Sequence, residues 1–178
     1  MQVIRYAIER EQNGRDLALF NTAVDTLLRS SNLLALKVED VTNPMGEVVE
    51  EVILQQQKTQ VDHVVALSEK TRLGLGHWIE MSFKLAGDYL FTGERRYNPL
   101  SHRQYIRLVK KWATYAWLDP RAYSTHRLRR TKSSMGYEKT RHLAACREWL
   151  GHQSIGSTAA YLGVDQRQAL DLAKKIEV

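Results

Sequence analysis

The chain has 178 residues, 43% of them apolar, which is enough for one domain with a real core. Its 26 lysines and arginines against 20 acids give a formal net charge of +6 and a pI near 9.5, which fits a polyanionic partner or a basic surface kept for solubility. The single Cys146 excludes an internal disulfide and fits a reducing compartment, no apolar run is long enough to span a membrane, and the N-terminus lacks a signal-peptide core.

No repeat, low-complexity tract or Pro/Gly-rich linker divides the chain, so one domain is expected over residues 1–178. Residues 1–14 are polar and poorly defined. From Arg15 the run RDLALFNTAVDTLLR has a helical period, with Leu17, Phe20, Val24 and Leu27 or Leu28 on one face. A break at Ser30 and Ser31 precedes a second short helix, about residues 32–36. Arg29 falls at the junction. A rigid junction can aim a planar guanidinium at phosphate oxygens, although a surface ion pair is the commoner use of an arginine.

After Leu36 the period changes. Residues 38–41 read as a short strand, and Asn43 to Gly46 as a turn. Residues 48–54 and 61–67 read as strands of a small antiparallel sheet joined by QQQKTQ, with Lys58 in or beside the hairpin turn. Ser68 suits the N-cap of a helix reaching about Phe83, weakened by Gly74 and Gly76. In the loop that follows, Tyr89, Leu90 and Phe91 are the anchors. Ser101 caps a strong helix over residues 102–117, with Tyr105, Val109, Trp112 and Ala116 as its buried stripe. Arg103, Arg107, Lys110 and Lys111 lie on its other faces, as a groove-facing set or a solvated basic face. Residues 165–178 read as a last amphipathic helix, capped by Asp165, with Ala169, Leu172, Ala173 and Ile176 on one side.

Between these helices lies THRLRRTKSSMGYEKTRHLAACREWLGHQSIGSTAAYLGV, residues 125–164. Thr125 is a plausible N-cap, so His126, Arg129 and Arg130 sit near a helix N-terminus, where unpaired N–H groups favour anions. His126 and Arg129 are one turn apart and can point the same way. Leu143, Ala144, Cys146, Arg147, Trp149 and Leu150 form the next helix, with Cys146 on its apolar face and His142 at the surface. Gly151 suits its C-terminus. Tyr161 follows on a segment of small residues. A tyrosine among apolar neighbours is usually core. A phenol among cations can instead attack an anion that the cations hold, which points to a phosphodiester and a covalent phosphotyrosine. The sequence has no P-loop, no H-E-x-x-H, no Cys/His ligand spacing and no G-x-S-x-G elbow.

The ordered set H-x-x-R, then L-G-H, then Tyr161 nine positions after His152 resembles the catalytic end of the tyrosine recombinases, or phage-type integrases, over residues 15–164. Arg29 and Lys58 upstream extend the likeness. The family pattern G-x-R-x-x-E-L-x-x-L reads here LLRSSNLLAL, so Leu27 stands for the glycine and Asn32 for the acid. The family's H-x-L-R-H-T reads HRLRRT, with Arg130 for the second histidine. The resemblance implies a mainly helical α+β catalytic domain with a small antiparallel sheet. It implies DNA cutting and rejoining through a 3′-phosphotyrosyl link, without metal or ATP. Tyr161 is then the nucleophile, His126 the base that helps it lose its proton, and Lys58 the acid for the leaving 5′ oxygen. Arg29, Arg129 and His152 neutralise the phosphoryl oxygens. Arg103, Arg107, Lys110, Lys111, Arg130 and Lys132 are expected to contact DNA.

Double-stranded DNA is the implied partner, with self-assembly as dimer or tetramer on it and no membrane. A cytoplasmic, bacterial or phage-encoded protein of a mobile element is expected. In the family, the segment matching residues 165–178 often docks on a neighbouring protomer. Packing on its own domain is the plainer alternative. The family normally carries a helical clamp domain before the catalytic one. Here about fourteen residues precede the first expected helix, so a minimal member or a piece of a longer chain is expected. A non-catalytic DNA-binding regulator or remnant on the same scaffold is the competing reading, and a type IB topoisomerase a third.

Overall fold

The computed structural model describes residues 1–55, 62–93, 97–152 and 154–163. Lys58 and the expected helix over residues 165–178 lie outside the described residues. The chain divides into two units, residues 1–131 and 132–178.

The first unit is helical with one hairpin. Its order is α1 (Gln2–Arg10), α2 (Gly14–Thr26), α3 (Ser30–Ala35), a 3-10 turn (Val38–Asp40), β1 (Glu51–Gln55), β2 (Asp62–Ala66), α4 (Glu69–Met81), α5 (His102–Tyr115) and a second 3-10 turn (Pro120–Ala122). The start of α6 (Thr125–Thr140) completes it. The expected mainly helical fold with a small antiparallel sheet is what the chain adopts: β1 pairs with β2 from Glu51↔Ala66 to Gln55↔Asp62. Val52 and Val65 face the core as a cross-strand pair, while Ile53 and Val64 face outward. Residues 38–41, expected as a strand, instead form the 3-10 turn, closed by Asp40 accepting from the Lys37 N–H at 2.7 Å. A carboxylate three residues along competes with strand pairing at that point.

The N-terminal residues, expected to be poorly defined, form α1. Ile4, Ala7 and Ile8 recur at helical spacing and are buried, which docks α1 on the core between polar neighbours. Helix α2 is buried almost all round, with Ala18, Leu19, Phe20 and Ala23 within the core and Leu17 and Val24 only half-buried. Its buried Asp16 holds Arg15 at 2.8 Å and accepts from the Trp112 indole N–H at 2.9 Å, so the acid is paired on both sides. Trp112 meets Phe20 and Tyr105 edge to face. Thus α5 buries Tyr105, Val109, Trp112 and Ala116, the stripe its period predicts. A capping box of Ser101 and Gln104 starts it. Ser68 caps α4 as expected, and Leu90 and Phe91 are fully buried anchors of the long loop.

The second unit contains the rest of α6, then α7 (Leu143–Leu150) and α8 (Ile155–Leu162). Cys146 is fully buried in α7, and its thiol donates to the Ser133 carbonyl at 3.6 Å. Burial pushes the thiol's pKa up, so it stays protonated and unreactive near neutrality. The exposed His142 caps α7 by accepting from the Ala145 N–H at 3.1 Å. Tyr161 and the small residues before it form one helix, α8. Among the described residues, no helix is long and apolar enough to cross a membrane.

Candidate functional site

In the first unit, the site is built on the ends of helices. Helix α2 ends at Leu27, whose backbone is left-handed at φ 52° and ψ 24°. That conformation costs an L-residue roughly 1–2 kcal/mol. The adjoining chain is braced by Asp25, which accepts from the Ser68 N–H at 2.9 Å and the Thr71 hydroxyl at 2.5 Å, tying α2 to the start of α4. Leu28 is then buried, and Arg29 becomes the N-cap of α3, with its carbonyl accepting from the Leu33 N–H at 2.9 Å.

The first turn of α6 supplies the facing side. Its cap is Ser124, one residue before the expected Thr125. The Ser124 hydroxyl accepts from the Arg127 N–H at 3.2 Å, and its carbonyl from the Leu128 N–H. Leu128 is buried and fixes the helix, so His126 and Arg129 turn toward α3. Arg129 is 8% exposed and donates from Nε to the Leu27 carbonyl at 2.5 Å.

These groups line one cleft of about 370 Å³, formed by Leu28, Arg29, Ser30, Ser31, His102, Thr125, His126 and Arg129. Three helices begin there: α3 with Ser30 and Ser31, α5 with His102, and α6 with Thr125 and His126. Each start carries the positive end of a helix dipole. Among the described residues that line it, none is acidic. Two guanidinium groups, an imidazole pair and three helix starts are a chemistry suited to an anion. His126 has its pKa lowered, first by burial and then by the charges of Arg129 and Arg130, so it is neutral at pH 7. His102 escaped the sequence reading, which took it for one residue of a basic helix. The Ser101 cap was the usable signal, because it puts the next residue at the helix mouth.

The second unit brings His152 and Tyr161 together. Helix α7 ends in Gly151 at φ 60° and ψ 40°, the left-handed cap its sequence predicts. The His152 N–H then returns to the Arg147 carbonyl at 3.1 Å. His152 Nδ1 lies 3.1 Å from the hydroxyl of Thr158, which is fully buried and itself donates to the Ser154 carbonyl. Nδ1 and the Thr158 hydroxyl share one hydrogen bond, so the ring is held by the side away from Nε2. The rings of His152 and Tyr161 meet edge to face, with centroids 5.2 Å apart. Ser154 caps α8 and Gly163 ends it, which fixes Tyr161 in the last turn with its hydroxyl oxygen buried.

Of the remaining expected residues, Arg103, Arg107 and Lys110 are exposed along one side of α5, and Lys111 lies 5.3 Å from the ring of Tyr115. Arg130 and Lys132 are half-buried on α6. Asn32 is half-buried in α3, where the Ser31 hydroxyl lies 3.4 Å from its amide oxygen.

Comparison with known proteins bears on the family and the fold. The "Probable integrase/recombinase YoeC" of Bacillus subtilis (strain 168) is 27% identical over 165 residues, covering 93% of this chain and 85% of that protein. A "Tyrosine recombinase" of Pseudothermotoga lettingae is 26% identical over 93% of this chain, but only 55% of its own length is covered. The chain thus spans little more than half of that relative. Among solved structures, the XerA recombinase superposes with a TM-score of 0.76 at 19% identity, covering 98% of this chain and 60% of that one. The XerH site-specific recombinase bound to its difH substrate superposes at 0.77 and 20% identity, covering 97% and 51%. At those identities the superpositions speak for the fold. The family pattern described as "Phage integrase family" matches residues 1–168, so it takes in α1 as well as the stretch from Arg15, and the chain belongs to that family.

Proposed function

We propose that this chain is the catalytic part of a site-specific DNA recombinase that cuts and rejoins DNA through a 3′-phosphotyrosyl intermediate. The observation that carries the reading is the cleft that brings Arg29, His126 and Arg129 together at three helix starts. His152 and Tyr161 in the second unit complete the set.

In this reading the Tyr161 oxygen attacks the scissile phosphorus, its proton passes to neutral His126, and the bond to the 5′ oxygen breaks. A free phenol has a pKa near ~10, so a neutral base beside the phosphate is needed at pH 7. Arg29 and Arg129 take up the charge on the non-bridging oxygens, and His152 donates to them from Nε2. Each such preorganised donor is typically worth ~3–4 kcal/mol. Lys58 returns a proton to the 5′ oxygen. The ester conserves the bond energy, so rejoining is the reverse attack by a 5′ hydroxyl. The buried Tyr161 hydroxyl has to be uncovered first. Arg103, Arg107 and Lys110 recur at i, i+4 and i+7, a stripe suited to a DNA groove, with Lys111, Arg130 and Lys132 on the backbone. Assembly of protomers on two sites, in a bacterial or phage-infected cytoplasm, completes the proposal. The recombinase names of the relatives and the DNA-bound structure of one similar fold support it.

A second reading, a DNA-binding protein without strand transfer, is favoured by one observation: Asn32 holds no charge where the family pattern has an acid. Incubation with nicked suicide DNA duplexes separates the two. A covalent protein–DNA band on a denaturing gel is expected. Sequence-specific gel shifts with no such band on any cleavable site would favour the second reading.

A further inference from the structure

Two arginines from distant stretches of chain meet in the cleft, and one residue serves both. Leu27 is 1% exposed and adopts φ 52°, a conformation that leucine rarely takes and that glycine or asparagine takes readily. The turn it makes buries Leu28 and delivers Arg29 to the cap of α3. It also aims the Leu27 carbonyl at Arg129 Nε, 2.5 Å away and 102 residues along the sequence. The turn is braced from both sides. The Thr26 hydroxyl accepts from the Leu28 N–H at 3.4 Å, and Asp25 is fastened to Ser68 and Thr71.

We propose that Leu27 is a positioning residue for the cleft, its left-handed backbone fixing the guanidinium plane of Arg129 and the departure of Arg29 together. A right-handed residue there would continue α2 and direct its carbonyl along the helix axis, away from Arg129. A guanidinium held at Nε keeps one plane, and fixed donors stabilise a transition state because they need no reorganisation. The effect on rate rests on the proposed strand transfer; the effect on Arg129 does not.

Two substitutions separate backbone from side chain. Leu27→Ile keeps the apolar bulk but opposes positive φ. Leu27→Gly deletes the side chain but favours positive φ and keeps the carbonyl. Ile8→Ala, in buried α1 and outside the cleft lining, controls for lost packing. The full chain is read in two ways. One is solvent exchange of the Arg129 Nε–H by nitrogen-15 NMR, assigned by its loss in Arg129→Lys. The other is the single-turnover rate of adduct formation at saturating suicide DNA. Leu27→Ile is expected to speed exchange and slow the rate by about tenfold or more, with DNA affinity kept within about threefold. Leu27→Gly and Ile8→Ala are expected to keep slow exchange. The proposal is overturned if Leu27→Gly exchanges as fast as Leu27→Ile, or if Leu27→Ile behaves like Ile8→Ala. Should Leu27→Ile fail to fold, Leu27→Gly decides: slow exchange supports the backbone role and fast exchange overturns it. If the unaltered chain forms no adduct, the proposed function fails while the exchange measurement still tests Leu27.

Discussion

Gly136 lies inside α6, where glycine costs roughly 1 kcal/mol relative to alanine, so Gly136→Ala would ordinarily stabilise the helix. Its surroundings reverse the sign. A Cβ added there would stand 2.4 Å from Trp149 Cζ3 and 3.2 Å from Cη2. Ordinary contact begins at 3.4 Å, so the ring must retreat by about 1 Å. Overpacking of this kind costs roughly 1–3 kcal/mol. Trp149 is 41% exposed and can swing outward, which holds the cost near the middle of that range. The net expectation for Gly136→Ala is a loss of ~1 kcal/mol, a clash of ~2 set against a propensity gain of ~1. In a Trp149→Ala background the clash is gone, and the same substitution should stabilise by ~1 kcal/mol. Urea denaturation of the four proteins, followed by circular dichroism, gives the coupling, expected near 2 kcal/mol. Equal stabilisation in both backgrounds would refute the reasoning. Trp149 stands three residues before His152 on α7, so its displacement should also slow formation of the DNA adduct.

Two further expectations concern proton transfer. Burial and the neighbouring Arg129 and Arg130 lower the pKa of His126, and in the proposed mechanism the neutral ring is the base. The adduct-forming rate at subsaturating DNA should therefore fall as pH drops through a midpoint below 6.5 and stay flat just above it. His126→Gln should remove that limb, and a midpoint above the ordinary histidine value would contradict the assignment. If Lys58 protonates the 5′ oxygen, DNA with a 5′-bridging sulfur should rescue Lys58→Ala, because a thiolate leaves without a proton. Equal impairment on both substrates would assign Lys58 to binding instead.

The sequence was most readable where local chemistry and tertiary context agree. The Ser68 and Ser101 caps, the Gly151 terminator and the α5 stripe each follow from one period or one side chain, and each forms as expected. Helix α1 was legible in principle from Ile4, Ala7 and Ile8, but Arg5 between them and Glu9 and Arg10 after them masked a face that only packing makes decisive. Residues 38–41 are apolar enough for a strand, yet the Asp40 carboxylate captures the Lys37 N–H and tightens the turn. For the candidate site, spacing together with the family resemblance singled out Arg29, His126, Arg129, His152 and Tyr161 as candidates. It could not reveal His102, because only the folded chain brings the start of α5 beside those of α3 and α6. Nor could it reveal Leu27, whose backbone angle contradicts its residue type and is held by contacts 102 residues away.

The Tyr161 oxygen is the proposed covalent link to DNA, and mapping the adduct on the chain tests it. The chain is incubated with suicide DNA, digested with trypsin, and the nucleotide-bearing peptide is sequenced by mass spectrometry. Residues 148–167 form one tryptic peptide, in which Tyr161 is the only tyrosine. This peptide is expected to carry the 3′-phosphoryl nucleotide, and Tyr161→Phe is expected to abolish the adduct while DNA binding survives. A nucleotide on the peptides holding Tyr137 or Tyr123, or an undiminished adduct from Tyr161→Phe, would contradict this assignment.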